Sequence, residues 1–127
     1  MPREIEMHHV LISLASNHEQ KENLCKAREA LTQILSLPKF TPEQWTHPMG
    51  KHCGRFYINQ LVSAETTLSS EDLTSRLKDT EKSLGRTPEL RRHGIVPIDL
   101  DLLLYDDKRF HLQDWERSYI KDLLQLL

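Results

Sequence analysis

Residues 93–105 read HGIVPIDLDLLLY, and they carry the plainest strand pattern in this chain. From residue 98 onward, isoleucine or leucine at every even position alternates first with Asp99 and Asp101 and then with Leu103 and Tyr105. Successive side chains of a strand point to opposite faces of the sheet. The stretch therefore predicts a strand with one wholly apolar face and a second face that carries two carboxylates.

The two carboxylates predict a metal site. Aspartate is a poor strand residue, and the rise of a strand places Asp99 and Asp101 roughly 7 Å apart along the backbone. Charges held in this way are expected to be paired or to bind a cation. An Asp-x-Asp pair suits Mg²⁺, which proteins hold with one or two carboxylates together with substrate phosphates. The alternative is a pair of surface charges on an edge strand, but the leucines of residues 102–104 favour a central strand.

Length and composition restrict the class of protein. A chain of 127 residues is expected to form one domain, residues 1–127, that buries its own core. The net charge is −2, so we expect no nucleic-acid partner. No apolar segment approaches the roughly 18 residues of a membrane span, and no signal peptide is recognisable. Cys25 and Cys53 without a secretion signal favour a reducing cytoplasm, and we expect a monomer.

The other elements follow from periodicity and from capping residues. Strands are predicted at residues 9–15, within 39–45, and at 56–66. The first helix is predicted at residues 19–37, with Asn17 as its N-cap and Pro38 as its end. The second begins after Ser69 and ends before Gly85, and the third is capped by Asp114. This order predicts an α+β, ferredoxin-like fold: a mainly antiparallel sheet with helices on one face.

Four motifs occur in a recognisable order. They are Ser16-Asn17 after the first strand, Tyr57-x-Asn59 in the middle strand, a glutamate followed by Gly85-Arg86 after the second helix, and Asp99-Leu-Asp101. With these motifs the chain resembles the 6-hydroxymethyl-7,8-dihydropterin pyrophosphokinases over about residues 9–120. The resemblance implies an enzyme of folate biosynthesis that transfers pyrophosphate from ATP to the hydroxymethyl group of a pterin.

The resemblance also implies roles for individual residues. Asp99 and Asp101 match the aspartates that hold two Mg²⁺ ions, and Arg86 matches an arginine of a mobile catalytic loop. The pterin site corresponds to Thr46, Met49, Tyr57, Asn59 and Tyr119. The ATP site corresponds to Arg86, Arg92, His111 and Arg117.

Charge and aromatic character support parts of this assignment. Arginines in the stretch at residues 86–95 are able to clamp phosphates, although charged runs are commonly solvated loops. An aromatic pair, Tyr119 with Phe56 or Tyr57, is able to sandwich a flat heterocycle, although strand aromatics commonly pack in a core. Asn59 within a strand needs hydrogen-bond partners, which a ligand edge is able to supply.

Several positions depart from the family pattern. Val96 stands where the family has a phosphate-facing arginine, Pro88 replaces another arginine, and Ala15 replaces a glycine. These departures predict weak nucleotide binding, and Val96→Arg is expected to tighten it. They leave two alternatives beside the enzyme. One is a diverged pterin-binding module without catalysis, and the other is a ferredoxin-like interaction domain that shares only the architecture.

Overall fold

The computed structural model of the chain describes residues 6–47 and 54–127. Six strands, four α-helices and one 3₁₀ turn follow one another in this part of the chain. In order they are β1 (His8–Ser16), α1 (Gln20–Ile34), β2 (Ser36–Phe40), β3 (Gln44–Thr46), β4 (Tyr57–Thr66), α2 (Ser70–Ser83), α3 (Pro88–Arg92), β5 (Asp99–Tyr105), β6 (Lys108–Arg109), the 3₁₀ turn (Asp114–Glu116) and α4 (Ser118–Leu124).

The strands form one sheet in the order β2-β4-β1-β5-β6, and the short β3 also pairs with β4. Every neighbouring pair is antiparallel. With β2 and β3 counted as one interrupted strand, the succession is strand, helix, strand, strand, helix, strand, as in ferredoxin-like folds. The predicted α+β fold class is therefore confirmed, and so are the strands predicted at residues 9–15 and 56–66.

Helices cover both faces of the sheet, whereas the sequence predicted helices on one face. Alternate residues of β1, β4 and β5 pack with α1 and α2 in the larger core cluster. The opposite face packs with α4 through a smaller cluster: Leu11, Leu61, Leu103, Ile120 and Leu123. Because α4 is only seven residues long, it covers one half of this face and leaves the other half for a cavity.

A β-bulge interrupts β5. The pairing of β1 with β5 shifts between Leu11 and Ile12, so Leu103 is the extra residue opposite them. A bulge reverses the alternation of side chains beyond it. As a result Leu104 packs with the α4 cluster and Tyr105 with the larger one, which is the reverse of the predicted arrangement. The alternation holds up to Leu102, the part of β5 that contains both aspartates.

The structure corrects several predicted boundaries. The first helix ends at Ile34, because Leu35 turns to an extended conformation and Pro38 lies inside β2. The stretch at residues 86–95 is not all loop, since Pro88 is the first residue of α3, whose N-cap is Thr87. Asp114 begins the 3₁₀ turn rather than a long third helix.

Two capping predictions are confirmed. The Ser69 hydroxyl accepts a hydrogen bond from the Asp72 amide (3.1 Å) at the start of α2. Gly85 follows Leu84, the C-cap of that helix, with a φ of 102°, a left-handed conformation that glycine adopts without strain. None of the helices in the described part of the chain combines the length and apolar character that a membrane crossing requires.

Candidate functional site

A cavity of about 400 Å³ occupies the half of the sheet face that α4 leaves uncovered. Its floor is a cross-strand row in which Ala15 of β1 lies between Asn59 of β4 and Asp99 of β5. In the next row Ser13 faces Asp101. The small side chains of Ser13 and Ala15 on the central strand leave room above them, while the longer polar residues on both sides form the walls.

The cavity brings together most of the residues that the sequence predicted to be functional. Met49 lies outside the described residues, and Arg86, Arg92 and His111 lie beside the cavity. The residues that line it are Ser13, Leu14, Ala15, Thr46, Tyr57, Asn59, Asp99, Asp101, Asp114, Arg117 and Tyr119. Seven of these eleven were predicted; Ser13, Leu14, Ala15 and Asp114 were not.

The two aspartates are held among cationic side chains. Arg86 Nη1 donates a hydrogen bond to Asp99 Oδ1 at 2.8 Å, and Lys78 Nζ lies 3.7 Å from Asp101 Oδ1. Burial and, to a lesser extent, the neighbouring Asp99 carboxylate together raise the pKa of Asp101 to about 6. Two carboxylates in one partly buried place repel each other, so the pair favours binding of an added cation.

Asn59 is fixed at the wall of the cavity. The residue is 3% exposed, and its Nδ2 donates to the Gln44 carbonyl oxygen (3.2 Å) and to Thr46 Oγ1 (2.7 Å). Pairing of β3 with β4 supplies both acceptors, because Gln44 lies opposite Asn59. The short β3, which the sequence did not separate from β2, therefore fixes the amide plane of Asn59 at the cavity wall.

Two tyrosines line the same cavity. Tyr57 begins β4 and Tyr119 lies in α4. Burial raises the pKa of the Tyr57 hydroxyl, as does the nearby Asp99 carboxylate, and burial likewise raises the pKa of Tyr119. Both rings therefore stay neutral at physiological pH. Phe56, the other predicted aromatic partner, is 47% exposed, and its ring contacts His47 outside the cavity at a centroid distance of 5.3 Å.

A second, more open cavity of about 640 Å³ lies between α2 and α3, and we call it the basic groove. Its lining contains three arginines of the predicted stretch, Arg86, Arg91 and Arg92, together with two lysines that were not predicted. The lining residues are Lys78, Glu81, Lys82, Arg86, Thr87, Pro88, Arg91 and Arg92. Lys78 and Arg86 link the groove to the first cavity through Asp101 and Asp99. A polyanion bound in the groove would therefore extend toward the two aspartates.

The remaining predicted ATP residues lie on the other side of the aspartates. His111 Nε2 is 3.8 Å from Asp101 Oδ1, and Arg117 Nε is 3.1 Å from Asp114 Oδ1. One ligand atom from each of Asp101, His111 and Asp114 lies within 4.8 Å of the others. His111 has a positive φ of 50°, an uncommon conformation for a residue with a side chain. These residues complete a polar rim around Asp101.

Asn17 connects β1 to the segment that precedes β5, rather than capping α1. The residue is 2% exposed; its Nδ2 donates to the Gly94 carbonyl oxygen (2.8 Å), and its Oδ1 accepts from the Val96 amide (2.7 Å). Its own amide donates to the Val96 carbonyl oxygen at 3.0 Å. The N-cap of α1 is Glu19, in a left-handed conformation. These contacts were not predictable from the sequence, because they join residues nearly 80 positions apart.

Val96 is a packing residue in this structure. It is 7% exposed, and both its amide and its carbonyl are bonded to Asn17. The cationic side chains near this segment lie on α2, on α3 and between these two helices, where they line the basic groove. The structure therefore does not support the prediction that an arginine at position 96 tightens nucleotide binding.

We expect Val96→Arg to lower the free energy of unfolding by about 2 kcal/mol or more, because it inserts a larger, charged side chain at a buried position. Urea unfolding and a nucleotide titration of the same samples check this, with Val96→Ile as the apolar control. An unchanged unfolding midpoint together with tighter nucleotide binding would contradict the packing role.

Comparison with known proteins assigns this chain to a family. The family model for 7,8-dihydro-6-hydroxymethylpterin-pyrophosphokinase matches residues 11–126, almost the whole chain. The chain belongs to this pyrophosphokinase family. The resemblance drawn from the four sequence motifs is thereby confirmed, and the likeness extends beyond architecture.

Three relatives illustrate the range of the pyrophosphokinase family. The chain is 32% identical to the mitochondrial folate synthesis bifunctional protein of Pisum sativum, over 87% of this chain and 23% of that protein. It is 30% and 33% identical to the 2-amino-4-hydroxy-6-hydroxymethyldihydropteridine pyrophosphokinases of Aquifex aeolicus and Haemophilus influenzae. Those alignments cover 78% and 76% of this chain and 62% of each relative. The chain thus spans under a quarter of the bifunctional protein and less than two thirds of the two pyrophosphokinases.

Proposed function

We propose that this chain catalyses the ATP-dependent transfer of a diphosphate group to the hydroxymethyl group of 6-hydroxymethyl-7,8-dihydropterin and releases AMP. The arrangement that carries the proposal is the link between the two cavities, because Lys78 and Arg86 of the basic groove contact Asp101 and Asp99 of the first cavity. A cavity with an oriented amide and two aromatic rings suits a flat, polar heterocycle. A basic groove suits a triphosphate, and the carboxylates lie between the two.

The pterin is proposed to bind in the 400 Å³ cavity. Asn59 and Thr46 would meet its hydrogen-bonding edge, and Met49, three residues after Thr46 in the sequence, is proposed to contact the same edge. Tyr57 and Tyr119 would pack against its ring faces. The support for this placement is the position of the Asn59 amide, which β3 and Thr46 already hold in place. A preoriented amide loses little freedom when the ligand binds.

ATP is proposed to place its triphosphate in the basic groove. Arg86 and Arg92 would contact the phosphates there, with Lys82 and Arg91 as additional cations from the same lining. His111 and Arg117 would approach the phosphates from beside Asp101 and Asp114, and the support for this is that each lies within 4 Å of one of these carboxylates. Cations on both sides stabilise the charge that develops on a transferring phosphoryl group.

The aspartates fit Mg²⁺. Oxygen ligands are what this ion prefers, and burial together with the neighbouring Asp99 carboxylate raises the pKa of Asp101 to about 6. A bound cation would offset the repulsion between the two carboxylates, and in the structure Arg86 already supplies positive charge to Asp99. We propose that Asp99 and Asp101 hold two Mg²⁺ ions, which would neutralise phosphate charge and favour ionisation of the pterin hydroxyl.

The proposal is tested by separate binding and turnover measurements. Titration of the intrinsic pterin fluorescence is expected to show saturable binding, and mixing with ATP, Mg²⁺ and the pterin is expected to yield AMP. Asn59→Leu is expected to abolish the fluorescence change, with Asn23→Leu on α1 as a control outside the cavity. Saturable pterin binding without AMP would contradict the enzyme, and an absence of pterin binding would contradict the pocket assignment.

A pterin-binding module without catalysis is the second candidate. It is favoured by the buried position of Val96, where the family pattern has a phosphate-facing arginine. The cationic lining of the basic groove argues against this candidate, because binding of a pterin alone does not require a basic cavity beside the carboxylates. The AMP measurement separates the two candidates.

Magnesium binding is expected to depend on pH. Below a pKa of about 6 Asp101 is protonated, and a protonated carboxyl is a poor metal ligand. The apparent affinity for Mg²⁺ is therefore expected to fall by roughly tenfold between about pH 8 and about pH 5. Calorimetric titration at the two pH values checks this, and Asp101→Asn is expected to remove most of the dependence. Equal affinity at both pH values would contradict Asp101 as a ligand.

We also propose a cytoplasmic location and a monomeric state. The observation that supports the location is the exposed free thiol of Cys25, a state that a reducing compartment preserves. Fractionation of cells that express the tagged chain checks the location, and light scattering of the purified chain checks the monomer. Recovery in an organelle fraction or the mass of a dimer would overturn the respective proposal.

A further inference from the structure

Glu81 is a buried carboxylate that none of the roles above uses. It lies in the last turn of α2 and is 4% exposed, although glutamate is almost never fully buried without partners. Its Oε2 accepts a hydrogen bond from the Leu100 amide at 2.7 Å. The same oxygen lies 3.2 Å from Lys78 Nζ and 3.1 Å from Arg86 Nη1. A single carboxylate oxygen thus joins a helix, a strand and the candidate site.

The bond to Leu100 completes the outer edge of β5. On that side β6 pairs only with Leu104 and Tyr105, so among the described strands none pairs with the Leu100 amide. An unpaired strand edge is normally solvated or covered by another element. Here α2 covers it with side chains, since Lys78 Nζ also approaches the Leu100 carbonyl oxygen at 3.5 Å. Because Leu100 lies between Asp99 and Asp101, its peptide sets the positions of both.

The contact with Arg86 has a different consequence. Arg86 Nη1 is shared between Asp99 Oδ1 and Glu81 Oε2, and the Arg86 amide donates to the Glu81 carbonyl oxygen at 3.1 Å. A cation bound at Asp99 would compete with Arg86 for that carboxylate. Glu81 would then remain as the anionic partner of Arg86, and it would keep the guanidinium at the junction of the cavity and the basic groove.

We propose that Glu81 is a positioning residue of the site. Its buried carboxylate fixes the peptide between Asp99 and Asp101 and anchors Arg86 beside them, where the guanidinium meets the phosphates of the nucleotide. The role in nucleotide binding rests on the proposed function. The anchoring of β5 does not, and this difference determines the choice of measurements.

Two substitutions separate the contributions. Glu81→Gln keeps an oxygen that accepts from the Leu100 amide but removes the charge that holds Arg86, whereas Glu81→Leu removes both. The Leu100 amide is expected to exchange with solvent at the wild-type rate in Glu81→Gln and at least about tenfold faster in Glu81→Leu. Glu71→Gln, an exposed glutamate on the same helix, serves as the control for loss of a negative charge. Equal exchange of Leu100 in all four proteins would overturn the anchoring of β5.

The Arg86 contribution is measured with a nonhydrolysable ATP analogue and Mg²⁺. Glu81→Gln is expected to weaken analogue binding by about tenfold to a hundredfold, because hydrogen bonds to charged groups are the stronger ones. The same substitution in an Arg86→Ala background is expected to have almost no further effect, an interaction that general destabilisation would not produce. Equal losses in both backgrounds would overturn the anchoring of Arg86. If the wild-type chain does not bind the analogue, the proposed function fails, and exchange of the Leu100 amide still decides whether Glu81 anchors β5.

Discussion

Asp99→Asn is expected to lower the rate of AMP formation by about a hundredfold or more while the fold persists. The carboxylate is the central group of the proposed site, since it faces Ala15 across the cavity floor and meets Arg86 at 2.8 Å. An amide of the same shape fills the space but binds Mg²⁺ poorly. Loss of metal-assisted charge stabilisation is worth several kcal/mol in the transition state, and each tenfold in rate corresponds to about 1.4 kcal/mol.

Stability is expected to change little in this variant. The Asp99 side chain is 35% exposed, and a partly exposed ion pair with Arg86 contributes about 1 kcal/mol or less. Thermal unfolding, AMP formation and Mg²⁺ titration of the same samples separate the two effects. Asp107→Asn, in the exposed turn between β5 and β6, is the matched control, and it should retain wild-type turnover. An Asp99→Asn protein with wild-type turnover would show that the carboxylate is not a metal ligand for this reaction.

Asn17→Ala is expected to cause the largest loss of stability among single substitutions near the site, about 2–4 kcal/mol. The change leaves the buried Val96 amide and the half-buried Gly94 carbonyl without their partner. A buried group orphaned in this way costs about 1–3 kcal/mol, and a half-buried one costs less. Since Asp99 follows Val96 by three residues, weaker Mg²⁺ binding is expected as well. The free energy of unfolding in urea and a Mg²⁺ titration measure the two effects.

Asn23→Ala is the matched control for this prediction. Asn23 is likewise a buried asparagine (5% exposed), and its Nδ2 donates to the His18 carbonyl oxygen at 2.7 Å, within the same region of the chain. Its replacement is expected to cost less than that of Asn17 and to leave Mg²⁺ affinity unchanged. Equal losses of stability in the two variants would mean that the Asn17 contacts with the segment before β5 add nothing beyond local burial.

The strands were predictable because their signal is local. Alternation with a period of two around Leu100 and Ile12 arises from the pleat itself, and so the fold class followed from the sequence. The bulge opposite Leu11 was not predictable, because it depends on how β1 and β5 pair. The end of α1 was predicted too late, since Leu35 continues the helical spacing of apolar residues although it already leads into β2.

The residues of the candidate site likewise fall into those that were predictable from the sequence and those that were not. Asp99, Tyr57 and Asn59 were found because each belongs to a short motif on one strand, and the resemblance to the family supplied their proposed roles. Glu81 and Asn17 belong to motifs as well, but their structural roles depend on partners 19 and 77–79 positions away. No periodicity reveals such contacts. A buried polar side chain of this kind becomes recognisable only when the neighbouring strand edge is known.

The most direct test of the account follows the phosphorus atoms through one turnover. ATP labelled at the γ-phosphate is mixed with the purified chain, Mg²⁺ and 6-hydroxymethyl-7,8-dihydropterin, and the products are separated. We expect one AMP for each pterin consumed, with the label in a pterin diphosphate and no reaction without Mg²⁺. Labelled pterin monophosphate together with ADP, or bound pterin that never acquires label, would contradict it.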